Sequence, residues 1–256
     1  DAIAHRGPDG EGHYCDGPVG LGHRRLSIID LTDAARQPME TSDGRFILTY
    51  NGEIYNFKEL KVELSARGHR FNSTGDSEVL LHAFAEWGIG ALLRFNGMFA
   101  FAIWDNRDRR LTIARDRFGV KPIYYAEIGG AVLFASEIKA FRAFPGFVSR
   151  VVPSGLAEYL SFQNFFTDRT LFQNARLLPA GCYVEVELGK PGPIAPMRYW
   201  DFKFEEPEGE VREEEAIEEL DHLFRQAGNR QLVSDVDIGS YLSGGVDSGS
   251  ITALAA

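Results

Sequence analysis

The chain has 256 residues, of which 44% are hydrophobic and 25% are charged, which is enough for one large domain or two small ones. Its formal net charge of −10 argues against a nucleic-acid-binding surface, and no apolar run reaches the roughly 18 residues that a membrane span needs. With only 2 cysteines a disulfide framework or a cysteine-rich metal site is excluded, so the composition favours a soluble, cytoplasmic enzyme of small molecules.

The first predicted elements are two strands. "RRLSIID" (24–30) predicts a short strand, and "RFILTYNGEIYN" (45–56) predicts a longer one. We expect the second strand to run into a turn at Asn51-Gly52, because an Asn-Gly pair favours positive φ angles.

Two helices follow the second strand. The segment 57–68 has leucines at helical spacing and ends on a glycine. The segment 76–88 opens with Asp76 or Ser77 as a candidate N-cap and also ends on a glycine.

Two hairpins come next along the chain. Residues 98–116 alternate around a turn at 105–108, and residues 122–136 turn at Gly129-Gly130. Alternating strands with a pair of inserted helices indicate antiparallel sheets covered by helices. One more strand is predicted at 179–188.

The chain changes character after this strand. Residues 205–215 are acidic and poor in apolar side chains, which is typical of a solvated linker. From Glu213 an amphipathic helix is predicted, followed by a strand at 237–242, a loop at 243–248 and the start of another helix. We therefore expect one domain over residues 1–205 and the beginning of a second over 212–256.

The loop "SGGVDS" has the composition of a phosphate-binding loop. Gly244 and Gly245 let backbone N–H groups approach an anion, and the helix that follows adds its positive end. Ser243 and Ser248 add hydroxyl donors, whereas Asp247 is suited to orienting the loop or meeting a metal. It is not a Walker loop, because the lysine of that motif is absent. A plain Gly-Gly turn with an aspartate cap is the alternative.

Two further patterns indicate a site for a small amino acid. Asn51 and Gly52 can aim a side-chain amide and a backbone N–H at one developing negative charge, as in an oxyanion hole. Arg25 and Asp76, each near the end of a strand or helix, can pair with the carboxylate and the ammonium of an α-amino acid. The alternatives are a tight turn at Asn51-Gly52 and surface ion pairs for the two charged residues.

A series of short motifs resembles a known family. In chain order they are "HRGPDGEG", "GHRRLSIIDL", "YNGEIYNFKEL", "TGDSEVLL", "GMFAFAIWD", "ARDRFGVKPIYY" and "FASEIKA". They span residues 5–141 and resemble the class II glutamine amidotransferase domain of asparagine synthetase B-type enzymes. The later "SGGVDS" resembles the SGGxDS pyrophosphate loop of the ATP pyrophosphatase superfamily, with "RYWDF" in between.

The resemblance implies an α+β fold of the N-terminal-nucleophile type. This is an αββα sandwich with two antiparallel sheets, followed here by the first elements of an α/β ATP pyrophosphatase domain. The implied glutamine-binding residues are Arg25, Ile28, Asn51, Gly52, Glu53 and Asp76. The first two would hold the glutamine carboxylate, the next two would form the oxyanion hole, and the last two would contact the amino end.

The resemblance also implies a second chemistry. In the family, ATP and Mg²⁺ convert aspartate to β-aspartyl-AMP, and ammonia released from glutamine then gives asparagine. The implied ATP-binding residues are Leu242, Ser243, Gly244, Gly245, Asp247 and Ser248. The implied partners are glutamine, aspartate and ATP, with no nucleic acid and no membrane; a homodimer stays open, and no metal ligand is identified.

One departure concerns the nucleophile. In the family it is an N-terminal cysteine whose own α-amino group acts as the base. The sequence begins at Asp1, inside the family pattern, so we expect the nucleophile segment to be missing and the second domain to be incomplete. Cys15 is expected in a turn without a catalytic role, and Cys182 in a core strand. A β-lactam synthetase-like or other amide-forming relative, and a non-catalytic glutaminase module, remain alternatives.

Overall fold

The computed structural model describes residues 1–190, 193–206, 209 and 212–256. They form two compact units, which are Asp1–Ser27 with Thr32–Asp201, and Ile28–Leu31 with Phe202–Ala256. Parts of the predicted acidic linker, at 207–208 and 210–211, lie outside the described residues, and the domain bounds 1–205 and 212–256 stay a prediction. No helix in the described part of the chain is long and apolar enough to cross a bilayer.

The first unit consists of antiparallel strands with helices inserted after the fourth strand. Its strands are β1 (Gly10–Asp16), β2 (Val19–Arg25), β3 (Met39–Glu40), β4 (Phe46–Ile54), β5 (Gly97–Asp105), β6 (Arg110–Arg115), β7 (Tyr124–Ile128), β8 (Ala131–Ala135), β9 (Arg176–Leu177), β10 (Cys182–Glu187) and β11 (Met197–Arg198). Its helices are α1 (Phe57–Ala66), α2 (Asp76–Trp87), α3 (Ala91–Arg94), the 3-10 helix Ile138–Ala143 and α4 (Pro153–Phe162), with three-residue 3-10 turns at Ala4–Arg6, Asp33–Ala35 and Gly88–Gly90. The predicted helix pair, the two hairpins and the strand at 179–188 are confirmed.

The central layer is a six-stranded antiparallel sheet with the strand order β11-β10-β6-β5-β4-β3. Helices α1 and α2 cover one of its faces. The Phe84 ring of α2 meets Phe46 and Phe101 edge to face, with ring centroids 5.8 and 6.3 Å apart. Leu60 and Leu64 of α1 are also buried, which is why the leucines recur at helical spacing. This packing holds the start of α2 beside β4.

The other face of the central sheet packs against a second layer of strands, formed by the β1-β2 hairpin and the sheet β8-β7-β9. Ala102 and Trp104 lie two residues apart on β5, so their side chains point to the same face of the sheet, toward this layer. There they belong to clusters with Tyr125 of β7 and Leu21 of β2 respectively. Phe141 of the 3-10 helix packs on the β7 sheet. Helix, sheet, sheet and helix follow one another, which confirms the predicted αββα sandwich.

The strand predicted at 24–30 is wrong. The strand that forms here is β2, which ends at Arg25 and pairs with β1. Leu21 of β2 is buried, whereas Leu26 is exposed, so the apolar residues after Arg25 do not form the buried face of a strand. The turn predicted at Cys15 is also wrong, because Cys15 lies in β1, where it is exposed.

The turn predicted at Asn51-Gly52 and the N-cap predicted at Asp76 or Ser77 are also wrong. β4 continues through Asn51 and Gly52, because both residues are paired with β5. Helix α2 has Gly75 at its N-cap and begins at Asp76. The Asp76 carboxylate accepts hydrogen bonds from β4, so its position is determined by the sheet next to the helix.

The second unit contains the helices α5 (Glu213–Gln231) and α6 (Val246–Ala255). The amphipathic helix predicted from Glu213 is confirmed, and a methyl group at Gly228 would lie 2.2 Å from Leu254 of α6. The strand predicted at 237–242 is wrong. A strand needs a hydrogen-bonded neighbour, and the described residues of this unit form no other strand with which it could pair.

Candidate active site

The predicted site residues of the first unit gather along one edge of β4. Among the described residues, β3 pairs with β4 only at Ile47 and Leu48, so side chains from other segments complete the edge beyond them. Tyr50 N–H donates to Gln37 Oε1 at 2.6 Å, and Tyr50 O lies 3.0 Å from His23 Nε2.

The N–H of Gly52 points to this same edge. Its partner on β5, Phe99, uses both backbone groups toward Asp116: Phe99 N–H donates to Asp116 Oδ2 at 3.1 Å, and Phe99 O accepts from Asp116 N–H at 2.8 Å. The two backbone groups of a strand residue point to one side, so Gly52 N–H is directed away from β5. A Cβ at Gly52 would lie 2.2 Å from Met98 O, which leaves room for glycine alone.

Asn51 lies beside Gly52 and contributes a side-chain amide. Its Nδ2 atom is buried and has no hydrogen-bond partner among the described residues. Burying a donor without a partner lowers the free energy of unfolding by about 1–3 kcal/mol, so such a group in a native fold points to a functional role. With Gly52 N–H it supplies two donors next to each other on β4, which is the chemistry of an oxyanion hole.

Two carboxylates lie at the end of β4. Asp76 Oδ2 accepts hydrogen bonds from Tyr50 Oη at 2.7 Å and from Ile54 N at 2.9 Å. Burial raises the pKa of the Asp76 carboxyl, and these two hydrogen bonds counter part of that rise. Burial also raises the pKa of the Glu53 carboxyl. The Lys121 charge lowers this pKa, and the Asp76 charge raises it. The pair therefore forms a partly desolvated acidic site that a bound ammonium would stabilise.

Arg25 ends the strand that lies beside this edge. Its Nη1 donates to Thr32 O at 2.8 Å. His23, two residues earlier on β2, contacts Tyr50, and its pKa is lowered by burial first and by the Arg25 charge as well. Ile28 lies in the segment that groups with the second unit, so its part in the site stays a prediction.

Asp116 holds the loop that carries Lys121 toward Glu53. Its fully buried carboxylate accepts hydrogen bonds from the backbone N–H groups of Phe118, Val120 and Lys121, each at 3.0 Å. A carboxylate that accepts several backbone N–H groups anchors a loop, because it holds those groups at fixed positions and satisfies their hydrogen bonds. The Asp116 carboxylate therefore bonds to backbone N–H groups of both β5 and this loop.

Sequence reasoning missed Tyr50, Gln37 and Lys121. For Tyr50 a signal existed, since it lies two residues before Gly52 and strand alternation places the two on the same edge. For Gln37 and Lys121 no local pattern exists, because both reach the site through the tertiary fold.

The predicted phosphate loop of the second unit, residues 243–248, is largely exposed and runs into the first turn of α6. Gly244 has a φ of +81°, which favours glycine, whereas Gly245 has a φ of −80° and is the N-cap of the helix. The hydroxyls of Ser243 and Ser248 lie 2.9 Å apart, and Ser248 Oγ donates to Gly245 O. Hydroxyls, a left-handed glycine and a helix start together suit an anion.

The two remaining predicted ATP-binding residues are exposed: Leu242 directly precedes this loop, and Asp247 lies within it. Asp247 lies in the first turn of α6. Within the part of the chain that the structure describes, no group of three His, Cys, Asp or Glu side chains is placed to hold a metal ion. The donors of the loop therefore fit a phosphate group, but they do not make a complete Mg²⁺ site.

Comparison with known proteins separates the chain into two parts. Residues 1–200 match the family described as glutamine amidotransferase domain, and residues 219–256 match the one described as asparagine synthase. All of the chain aligns with asparagine synthetase (glutamine-hydrolyzing) 3 of Bacillus subtilis (strain 168) at 40% identity, and with amidase chyE of Penicillium rubens at 33%. The chain spans 41% and 37% of these two relatives, respectively.

Solved structures support the fold. The chain resembles the glutamine phosphoribosylpyrophosphate amidotransferase of B. subtilis complexed with ADP and GMP, with a TM-score of 0.57 and 19% identity. The likeness covers 78% of this chain and 45% of that one. At this identity the likeness concerns the fold alone, and it agrees with the four layers described above.

Proposed function

The chain belongs to the glutamine amidotransferase domain family through residues 1–200, and from this premise we propose that its first unit binds glutamine and stabilises the oxyanion formed when the side-chain amide is attacked. The observation that carries the proposal is the buried Asn51 Nδ2 without a described partner, beside the outward N–H of Gly52. Donors placed in advance need no reorganisation when charge develops, and one such donor is worth about 10²–10³ in kcat.

The two charged ends of glutamine would be held by charges of opposite sign. Asp76 and Glu53 would pair with the α-ammonium, and Arg25 would bind the α-carboxylate through its planar guanidinium, with help from the backbone of Ile28. Burial makes an uncompensated carboxylate costly, so an ammonium that reaches Asp76 recovers part of that cost. The site thus favours a free amino acid over a simple amide.

We place no nucleophile among the thiols of this chain. The resemblance implies a cysteine with a free α-amino group, and Cys15 in β1 and Cys182 in the core of the central sheet have none. We therefore predict that neither thiol is the nucleophile of glutamine hydrolysis. Ammonia release from glutamine should be the same for the chain and for Cys15→Ala. Release that disappears with Cys15→Ala would contradict the prediction.

The wider proposal concerns a protein of the relatives' length, of which this chain spans about two fifths. We propose a cytoplasmic, glutamine-hydrolysing asparagine synthetase, in which ammonia from glutamine attacks β-aspartyl-AMP made from aspartate and ATP. When bound, ATP would supply the adenylyl group, and the Mg²⁺ that accompanies it would neutralise phosphate charge. The residues of this chain would receive phosphate oxygens through the hydroxyls of Ser243 and Ser248 and the N–H groups at Gly244 and Gly245.

The experiment is a calorimetric titration of the folded chain with L-glutamine. Binding is expected for the wild type, and loss of roughly ten- to a hundredfold in affinity for Asp76→Asn, because a hydrogen bond to a charged group is worth about 1.5–3 kcal/mol. Asp108→Asn is the matched control, since this aspartate is exposed and pairs with Arg107. A wild type that does not bind glutamine, or an Asp76→Asn variant that binds normally, contradicts the proposal.

A further inference from the structure

Tyr50 joins three segments of the first unit at the candidate site. Its hydroxyl donates to Asp76 on α2, its N–H donates to Gln37 in the loop before β3, and its carbonyl contacts His23 on β2. Gln37 in turn lies 3.5 Å, through Nε2, from the hydroxyl of Ser77. Tyr50 therefore connects β4, which carries the oxyanion donors, with α2, which carries Asp76.

The hydroxyl of Tyr50 determines how the Asp76 carboxylate is turned. Both Tyr50 Oη and Ile54 N donate to the same atom, Asp76 Oδ2. Two donors on one oxygen restrict rotation about the bond to the carboxylate, so the direction of its other oxygen is restricted as well. Tyr50 is 4% exposed and Asp76 is 5% exposed, so water does not replace this donor easily.

We propose that Tyr50 is the positioning residue that orients Asp76 for the ammonium of glutamine. The inference rests on the proposed function, because it needs glutamine to be the ligand of Asp76. Tyr50 is not a catalytic residue, since it acts on the ligand through the carboxylate. Its removal should therefore change the affinity for glutamine and leave the chemical step nearly unchanged.

The charges around Asp76 support this role. Burial and the Asp76 charge raise the pKa of Tyr50 well above its usual value, so the hydroxyl stays protonated and stays a donor. Glu53 from β4 is the other acidic group that faces this region; burial raises its pKa, and the Lys121 charge counters part of that rise. Near two carboxylates, a neutral donor supports the ionised form of Asp76 without competing with the ligand for its charge.

The first test compares glutamine affinity in Tyr50→Phe and Tyr125→Phe. Both changes remove one buried hydroxyl and keep the ring, and Tyr125 lies in β7 of the second layer of strands. Tyr50→Phe should raise the Kd for glutamine roughly tenfold, and Tyr125→Phe should leave it within about twofold. In a full-length enzyme the same change should raise KM with kcat nearly constant. Equal affinities for wild type and Tyr50→Phe would overturn the inference.

The second test needs no ligand. In the chain with ¹³C-labelled aspartate, NMR titration should give a higher Asp76 pKa in Tyr50→Phe than in the wild type, because a donor to the ionised form is gone. An unchanged Asp76 pKa would overturn the inference even where the affinity falls. Tyr50→Met, also without a hydroxyl, should give the same result if the phenylalanine variant is poorly folded. A wild type that fails to bind glutamine would overturn the proposed function, while this titration still decides whether Tyr50 controls Asp76.

Discussion

Asp76 in the first unit and Ser248 in the second both lie in the first turn of a helix, yet their surroundings differ. Asp76 is 5% exposed, and its carboxylate is bonded to two groups of a neighbouring strand. Ser248 lies by an exposed loop, and its described hydrogen bonds reach only Ser243 and Gly245, within five residues of chain. One site is built from the core of its unit, and the other is built locally.

The difference predicts where a substitution changes ligand binding without changing the stability of the fold. On β4, a substitution changes strand packing and ligand donors together, because the same residues serve both. In the loop before α6, a small side chain meets little of the protein, so its effects are confined to whatever the loop binds.

The largest expected effect comes from a pair of equal substitutions, Gly52→Ala and Gly245→Ala. The added methyl would lie 2.2 Å from Met98 O at Gly52, but no closer than 3.5 Å to Ser243 Oγ at Gly245. Gly52→Ala should therefore lower the free energy of unfolding by about 3 kcal/mol or more and abolish glutamine binding. Gly245→Ala replaces only the N-cap glycine of α6 and should lower the free energy of unfolding by about 1 kcal/mol or less. Urea denaturation of both variants checks this, and equal stabilities would contradict the contrast.

A larger side chain in the loop should remove one activity of a full-length enzyme and keep the other. Gly245→Val places a branched side chain where the N–H groups face an anion, so ATP-dependent pyrophosphate release should stop with either glutamine or ammonia as nitrogen donor. Glutamate release from glutamine should continue. Paired assays on one preparation measure both products, and a normal rate of pyrophosphate release would show that the loop does not hold phosphate.

The next effect separates charge from shape at Asp76. Asp76→Asn keeps an acceptor for Tyr50 and Ile54 but removes a charge whose burial is costly, so the thermal midpoint should not fall while glutamine affinity drops roughly ten- to a hundredfold. In the wild type, affinity should weaken as pH falls through the raised pKa values of Asp76 and Glu53, because their ionised forms bind the ammonium. Affinity that is independent of pH between about 7 and 4 would contradict this.

The smallest effect is expected at a surface ion cluster of the first unit. Burial alone would raise the pKa of Glu137, but hydrogen bonds from Lys139, His5 and Arg6 bring it down to about 2. A lowered folded-state pKa stabilises the fold above the ordinary glutamate value of about 4.3, and the contribution is lost as pH falls toward 2. Glu137→Gln should thus cost about 1 kcal/mol or less at pH 7 and nothing at pH 2, as measured by urea denaturation.

Much of the fold follows from local pattern. Helices α1 and α2, the two hairpins and the strand before the linker are predictable because their signals lie within a few residues: leucines at helical spacing, alternation, and a Gly129-Gly130 turn. The residue types of the candidate site are also readable from short motifs. An amide next to a glycine, and an acidic residue at a helix start, are recognisable without knowing what lies across from them.

What the sequence alone determined is therefore the elements whose signals are local, such as α1, α2 and the two hairpins, and the chemical groups of the site, since both are properties of neighbouring residues. The tertiary structure decided how those groups are used. Asn51-Gly52 is a turn signal in isolation, but pairing with β5 keeps both residues in a strand and exposes the Gly52 N–H at its edge. Asp76 is of the residue type that caps helices, but its buried carboxylate instead accepts a hydrogen bond from Tyr50, which is distant in sequence. Residues 237–242 have strand composition and no described strand to pair with, because a sheet exists only between segments that the fold brings together.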